Sequence, residues 1–179
     1  MARLELEVAD GTLRLAQPFR ISGYVFTHSD VVVVTLRQGE LSGRGEGGGV
    51  YYLGDDVPHM LQAIGAARSA IEAGPGREAL RSIMPPGGAR NAVDCALWEL
   101  EAARAGVPVW QLAGQSAPKP LRTTFTLGAD SPEAMAEGAR RYSDVQSIKV
   151  KLTGELDLDI ARVAAIRAAR PDVWLGVDG

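Results

Sequence analysis

The sequence predicts an α+β domain followed by the first strands and helices of a parallel (β/α) barrel. Segments typical of antiparallel strands come first, helices follow them, and strands alternate with helices after Pro120. Alternation of this kind is the signature of parallel βαβ units. Three positions in the predicted strands, Thr124, Lys149 and Val173, are separated by 25 and 24 residues, which is close to the repeat length of an eight-stranded barrel.

The N-terminal strands are predicted from alternating polarity and β-branched residues. A turn at Asp10–Gly11 separates RLELEV from GTLRLAQPF, and a further strand covers DVVVVTLRQGE. Between them, residues 20–29 are polar and aromatic by turns, which indicates a surface loop. Five glycines between Gly43 and Gly49 indicate a flexible loop, which we interpret as a flap over an active site. It lacks the lysine and helix that follow a phosphate-binding loop.

Four helices complete the first domain. The segment DDVPHMLQAIGAARSAIEAG opens with carboxylates and Pro58 and stops at Gly74, which are helix start and stop signals. Three further helical segments are GREALRSIM, GARNAVDCALWELEAARAG and PVWQLAG. Because QSAPKP is typical of a linker, we place the first domain at residues 1–118 and the second at residues 119–179.

The second domain is predicted to contain three strands and two helices. The strands are LRTTFTLG, SIKVKL and VWLGVDG, and the helices between them are SPEAMAEGARRYS and ELDLDIARVAAIRAARP. Three parallel strands with two crossovers leave a sheet edge without hydrogen-bond partners. We therefore expect a longer polypeptide, of which this is the front part; a small open α/β fold that ends at Gly179 is the alternative.

The composition is that of an ordinary soluble globular chain, with 179 residues, 46% hydrophobic and 23% charged. A net charge of −3 gives no electrostatic case for nucleic acid or an anionic membrane. No apolar run approaches the ~20 residues of a membrane helix, and the first residues lack the apolar centre of a signal peptide. Cys95 is the only cysteine, which excludes an internal disulfide and a cysteine-based zinc site. We expect a cytoplasmic protein.

The segment IKVKL places two lysines on one face of a strand. Side chains alternate along a strand, so Lys149 and Lys151 share one face while Ile148, Val150 and Leu152 share the other. A strand flanked by helices is buried on both faces, and only a barrel interior near its mouth accommodates two amines. The alternative is a solvent-facing strand with two unrelated lysines.

A lysine pair in a barrel mouth suits acid–base chemistry. A lysine acts as a base near neutrality once its pKa falls from about 10.4 to roughly 7–8, and a neighbouring like charge with a nearby metal is a sufficient cause. Thr126, Lys149, Lys151 and Asp178 all fall at the C-terminal ends of strands, where the catalytic groups of barrels lie. Two cations and one carboxylate predict an anionic substrate and, if more carboxylates follow, a divalent metal.

Four segments in order, MPPGGARNAVDCALWELEAARAGVPVWQLAG, RTTFTLG, IKVKL and GVDG, resemble the enolase superfamily. Within it, they are similar to the muconate-lactonizing subgroup and its L-Ala-D/L-Glu (dipeptide) epimerases. This resemblance implies an α+β capping domain followed by a (β/α)7β TIM-like barrel, here truncated after the third strand. It also implies a reaction that removes a proton α to a carboxylate and forms an enediolate held on Mg²⁺.

The resemblance assigns roles to individual residues. Lys151 would be one acid/base, Lys149 would stabilise charge and tune its neighbour, and Asp178 would be the first of three metal carboxylates. Thr126 matches a strand position that contacts substrate. The remaining metal carboxylates and the lysine of the opposite face would lie on later strands, beyond Gly179.

The first loop departs from the pattern of the Ala-Glu epimerases. These enzymes carry an arginine after the first PF motif that reads the acidic side chain, whereas PFRISGYVFTH offers Arg20 directly after the motif and Tyr24 further on. Arg20 and Tyr24 are therefore the candidates for substrate contact, and glutamate specificity is not implied. Phe26 and His28 of the same loop are candidates for lining a pocket.

The function that these residues predict is a Mg²⁺-dependent dipeptide epimerase, an isomerase with a small-molecule dipeptide as its substrate and a homo-oligomeric state left open. Three other members of the subgroup share the lysine pair: muconate cycloisomerase, o-succinylbenzoate synthase and N-acylamino acid racemase. A non-catalytic α/β module that binds an anion is the alternative of a different class, if the chain ends at Gly179.

Overall fold

The computed structural model describes residues 3–179, which form two compact units. The first unit contains the described residues up to Leu13 together with Ser29–Pro118, and the second contains Arg14–His28 and Lys119–Gly179. Residues 14–28 therefore group with the second unit, whereas the domain boundary predicted from the sequence places them in the first domain. Among the residues described, no helix is long and apolar enough to span a membrane.

A three-stranded sheet has the order β1 (Glu5–Ile21), β2 (Tyr24–Gln38) and β3 (Leu41–Gly48). Strands β2 and β3 are antiparallel, with Val32 opposite Gly47 and Gln38 opposite Leu41. Strand β1 continues through residues 10 and 11, so the predicted turn at Asp10–Gly11 is wrong. Pairing with β2 overrides the turn preference of this dipeptide, and Thr12 Oγ1 donates a hydrogen bond to Asp30 Oδ1 at 2.6 Å beside it.

The predicted surface loop at residues 20–29 is instead the tip of the β1–β2 hairpin. Both strands continue to a two-residue turn at Ser22 and Gly23. Gly23 has a φ of 73°, a left-handed conformation that glycine adopts without steric cost. Aromatic residues at alternate positions of the tip favour the extended backbone that the structure shows.

The glycine run at residues 43–49 is largely strand β3, and its interpretation as a flexible flap is wrong. Gly43, Gly45 and Gly47 point to one face of the strand and are buried. A Cβ at Gly45 would lie within 3.0 Å of the backbone of Ala92 and Ala96 in the longest helix, Gly88–Ala105. The glycines therefore let that helix pack directly on the backbone of the strand.

The spacing of the glycines matches the spacing of the helix. Two residues of a strand advance about 6.6 Å, and four residues of a helix advance about 6.0 Å, so successive glycines meet successive turns. Gly43, Gly45 and Gly47 in this way face four helix positions, which are Gly88, Ala92, Ala96 and Leu100.

All four helices predicted for the first unit are present. After a short 3-10 helix at Tyr51–Leu53 they are α1 (Val57–Glu72), α2 (Arg77–Ile83), α3 (Gly88–Ala105) and α4 (Val109–Leu112). Asp56 caps α1, since its side chain accepts a hydrogen bond from His59 N. The core of the unit lies between the sheet and helices α1 to α3, and its fully buried side chains include Val32, Val34, Leu36, Met60, Ile64, Ile71, Leu97 and Leu100.

The second unit contains the predicted strand–helix repeat. Its elements are β4 (Phe125–Leu127), α5 (Pro132–Arg141), β5 (Ser147–Lys151), α6 (Leu156–Ala169) and β6 (Trp174–Asp178). The three strands are parallel in the order β4-β5-β6. Their helix-facing side chains form a second core, to which Leu127, Met135, Ala139, Ile148, Val150, Ile166 and Val173 belong.

Replacing Gly45 by alanine is expected to destabilise the first unit. The new methyl group would overlap helix backbone, which cannot move aside as a flexible side chain can, and overpacking of this kind costs about 1–3 kcal/mol or more. Gly48→Ala in the same strand is the matched control, because a Cβ there meets no atom within 4 Å. Urea unfolding of both variants tests the expectation, and an equal stability of the two would contradict the packing described above.

Candidate active site at the carboxyl ends of the parallel strands

The strand register brings the predicted site residues onto neighbouring positions. Thr126 of β4 pairs with Lys149 of β5, which in turn pairs with Gly176 of β6. Two residues further along each strand, Lys151 pairs with Asp178. Because residues in register point to the same side of a sheet, these side chains share the face that is not packed on α5 and α6.

Both lysines contact the same carboxylate oxygen. Lys149 Nζ and Lys151 Nζ each lie 2.8 Å from Asp178 Oδ2. The three side chains are between 26% and 38% exposed, so water screens these ion pairs and their main effect is to fix geometry. The two lysines of IKVKL therefore act on one group and are not unrelated surface side chains.

Asp178 is an ionised carboxylate throughout the neutral pH range. The hydrogen bonds from Lys149 and Lys151 hold the pKa of Asp178 at about 2, below its ordinary value of 3.8. Above pH 4, protons therefore do not compete with a cation for this carboxylate. It also keeps the charge of the cluster at +1 when both amines are protonated.

The use of lysine at these two positions is selective. Lys and Arg together number 19 in the chain, but the only lysines are Lys119, Lys149 and Lys151. Two of the three lysines thus meet at Asp178, in a chain that otherwise uses arginine. An amine can lose its proton in a protein, whereas a guanidinium does not. Lysine at positions 149 and 151 therefore gives this sheet two basic side chains of a type that can transfer a proton.

Trp174 occupies the same face of β6 and was not predicted from the sequence. Its indole ring lies over Gly176, where a Cβ at position 176 would come within 3.0 Å of the ring atom Cζ3. Gly176 is the register partner of Lys149, and the ring therefore covers the position of β6 that is next to Lys149 in the sheet. The position of Trp174 on this face could have been predicted, because Trp174, Gly176 and Asp178 are alternate residues of one strand.

A buried ion pair supports the loop that follows Lys151. Asp159 and Arg162 of α6 are 7% and 6% exposed, and Arg162 Nη1 lies 2.8 Å from Asp159 Oδ1. The Asp159 carboxylate accepts hydrogen bonds from the backbone N–H groups of Thr153 and Gly154. Burial alone would raise the pKa of Asp159, but these hydrogen bonds and Arg162 lower it.

The tip of the hairpin lies on the loop that follows β4. Arg20 O accepts a hydrogen bond from Ala129 N at 2.8 Å, and Arg20 Nε lies 3.4 Å from Asp130 Oδ2. Gly128 permits this approach, because a Cβ there would lie 2.8 Å from Arg20 N. Arg141 of α5 adds a hydrogen bond to Gln17.

The structure therefore divides the predicted site residues into two groups. Lys149, Lys151 and Asp178 are in direct contact, and Thr126 is in register with Lys149. Arg20 and Tyr24 belong to the hairpin tip, where Arg20 contacts the loop after β4 and the Tyr24 ring lies 4.5 Å from the ring of Phe26. Of the other two candidates in the tip, Phe26 packs with Tyr24, and His28 Nδ1 lies 3.0 Å from Thr27 Oγ1.

Asp178 is the one metal ligand predicted among residues 3–179. Within residues 3–179, no group of three or more His, Cys, Asp or Glu side chains could hold a metal ion. Mg²⁺ requires near-octahedral oxygen coordination, which a single carboxylate cannot provide. The described residues fit a Mg²⁺ site in part, through the charge of Asp178 and its place at a strand end.

Comparison with known proteins identifies the class to which this fold and site belong. Residues 3–114 match the sequence family described as the mandelate racemase / muconate lactonizing enzyme, N-terminal domain. The chain belongs to this family of the enolase superfamily and carries the N-terminal portion of such an enzyme. The resemblance and the fold class predicted from the sequence are thereby confirmed.

Among curated relatives, the L-Ala-D/L-Glu epimerase of Escherichia coli (strain K12) is 35% identical over 166 residues, which are 92% of this chain and 51% of the relative. A solved structure of an Agrobacterium tumefaciens enolase family member with homology to dipeptide epimerases, with bound sodium and L-Ala-L-Glu, has a TM-score of 0.90 and 36% identity over 98% of this chain and 53% of its own. The dipeptide epimerase of Enterococcus faecalis V583, complexed with Mg and L-Leu-L-Tyr, has a TM-score of 0.88 and 28% identity over 99% and 53%. The chain spans about half the length of these proteins.

Titration of Asp178 tests the electrostatics of the cluster. We expect its carboxyl carbon, followed by NMR, to titrate with a midpoint near pH 2, and Lys149→Met or Lys151→Met to raise that midpoint. Because the folded pKa lies below 3.8, the ion pairs stabilise the fold fully above about pH 4 and their contribution is lost as pH falls towards 2.

Asp172 is the internal control for this titration. Arg170 holds the pKa of Asp172 at about 2 as well, and that value should not change in either lysine variant. A wild-type Asp178 midpoint at its ordinary value would contradict the described contacts with the lysines.

Proposed function

We propose that this chain provides the capping domain and the first barrel strands of a Mg²⁺-dependent dipeptide epimerase. The observation that carries the proposal is the contact of two of the chain's three lysines with one ionised carboxylate at the carboxyl ends of parallel strands. Proton transfer α to a carboxylate needs a base beside the α-carbon and positive charge beside the carboxylate. The cluster offers residue types for both.

In this proposal Lys151 is the acid/base group of one face. Its neutral amine accepts the α-proton, the electron pair of the broken C–H bond moves onto the substrate carboxylate, and an enediolate results. Lys149 lies two residues before Lys151 on the same strand face, and its ammonium group stabilises the added negative charge. Inversion of configuration then requires a second acid on the opposite face, which a residue outside 3–179 would supply.

Asp178 links the two lysines and would also be one of the metal carboxylates. A bound Mg²⁺ would stabilise the negative charge that develops on the substrate carboxylate. The magnesium in the E. faecalis structure supports this part of the proposal. The remaining carboxylates would come from outside the described residues.

The substrate class is proposed from the relatives and from the hairpin tip. The E. coli relative is an L-Ala-D/L-Glu epimerase, and the A. tumefaciens and E. faecalis structures hold dipeptides. These proteins favour a dipeptide over the substrates of a muconate cycloisomerase, an o-succinylbenzoate synthase or an N-acylamino acid racemase. Arg20 and Tyr24, on a tip that lies against the loop after β4, would contact the side chain of the dipeptide. Thr126, on the same sheet face as Lys149, would contact the dipeptide backbone.

Substitution of the two lysines tests the assigned roles in the full-length protein. Lys151→Ala should lower the rate of α-proton exchange in one configuration by about 10²–10⁴-fold. Exchange in the other configuration should continue. Lys149→Ala should slow both, because its charge supports the enediolate whichever face loses the proton. The measurement is deuterium incorporation from D₂O into each dipeptide epimer, followed by NMR.

Lys119→Ala is the matched control for these variants, since it removes the chain's remaining lysine from the linker outside both cores. It should exchange both epimers at the wild-type rate. Small and equal effects of Lys149→Ala and Lys151→Ala would show that neither amine takes part in the reaction.

Metal removal tests the role of Asp178. Treatment of the full-length protein with a chelator should abolish α-proton exchange, and added Mg²⁺ should restore it. Asp178→Asn should weaken Mg²⁺ binding in calorimetry, whereas Asp172→Asn, which removes a carboxylate with a similarly low pKa from the segment before β6, should not. Exchange at full rate in the metal-free protein would reject the metal requirement.

A further inference from the structure

Two buried arginines, one within α6 and one just after it, each bind loop segments at one end of the parallel sheet. Arg162 lies within α6, and Arg170 follows the last turn of that helix; they are 6% and 8% exposed. A buried guanidinium is tolerated only when its donors are satisfied by charged or carbonyl partners. Both arginines meet this condition, but with segments at opposite ends of the strands.

Arg162 connects two loops that follow strands. Its Nε donates to Asp130 O at 2.7 Å, in the loop after β4, and its Nη1 donates to Thr153 Oγ1 at 2.8 Å, in the loop after β5. Thr153 is the second residue after Lys151. Asp130 and its neighbour Ala129 are also the residues on which the backbone and side chain of Arg20 lie.

Arg170 connects segments that precede strands. It donates to the carbonyl oxygens of Tyr142 and Val145, which come before β5, and forms a two-fold ion pair with Asp172, which comes before β6. In barrels the carboxyl ends of strands carry catalysis and the amino ends carry stability. The two arginines are therefore a matched pair, with the same residue type and burial but different ends of the sheet.

We infer that Arg162 is a positioning residue that, in the enzyme proposed above, couples the loop behind Lys151 to the loop on which the hairpin tip lies. Asp159 holds Thr153 and Gly154 through their N–H groups and holds Arg162 through an ion pair. The guanidinium, held in place by Asp159, also donates to Asp130 O and so fixes the loop after β4 relative to the loop after β5. Arg162 thus links the loop on which the hairpin tip lies to the loop that follows Lys151, and it touches neither Arg20 nor Lys151.

Arg162→Lys separates the two functions of the side chain. A lysine keeps a positive charge for Asp159, but its single ammonium group cannot donate in the same fork to Asp130 O and Thr153 Oγ1 at once. We expect KM for the dipeptide to rise about tenfold, the equivalent of about 1.4 kcal/mol, while kcat stays within about threefold, because Lys151 remains supported through Asp159. The discrimination among dipeptides with different side chains should fall in parallel.

Arg170→Lys is the control, made in the full-length protein alongside Arg162→Lys. It should lower Tm to a similar degree, with KM and dipeptide discrimination as in wild type. Backbone amide exchange gives a readout besides activity: exchange at Ala129 and Thr153 should be faster in Arg162→Lys and unchanged in Arg170→Lys.

The outcomes distinguish this inference from the proposed function. An unchanged KM and unchanged amide exchange in Arg162→Lys, or an equal rise of KM in Arg170→Lys, would overturn the positioning role. A wild-type protein that epimerises no dipeptide would contradict the proposed function instead, and the amide exchange would still test whether Arg162 couples the two loops.

Discussion

The alternation of strand β5 between two faces is the constraint on which the candidate site depends. Ile148 and Val150 are fully buried against α5 and α6, and their burial fixes the register of the strand. A shift by one residue would bring Lys149 and Lys151 into the apolar core, at a cost of several kcal/mol per unpaired charge. The hydrophobic core therefore keeps both amines on the opposite face, where the parallel register of β6 presents Asp178.

When both amines are protonated, the resulting cluster has one more positive than negative charge, and this imbalance suits an anionic ligand. Two ammonium groups share one carboxylate oxygen, so a second anion can approach without displacing Asp178. The carboxylate of the proposed dipeptide substrate would meet this requirement. At the strand ends, the ion pair of Asp159 and Arg162 supplies rigidity without adding net charge to the site.

Much of this arrangement could be predicted from the sequence, because it depends on local periodicity. The helices, the parallel repeat and the shared face of Lys149 and Lys151 follow from residue spacing. The run at 43–49 could not be predicted from its composition, since glycine carries no side chain to show a period; the small residues of α3 were the only hint of a close helix. Arg162 could not be predicted either, because its partner Asp130 is 32 residues away in the sequence and is brought beside it only by the parallel crossover.

The grouping of the hairpin tip with the second unit has a consequence for the design of chimaeras between relatives. The base of the hairpin belongs to the first unit and its tip, Arg14–His28, to the second. A chimaera joined only at the linker near Pro118 would carry the tip of one parent onto the Gly128 and Asp130 of another. Additional crossover points at residues 13 and 29 would instead keep each tip with the loop that it contacts, so an exchange of this unit needs three junctions in the chain and not one.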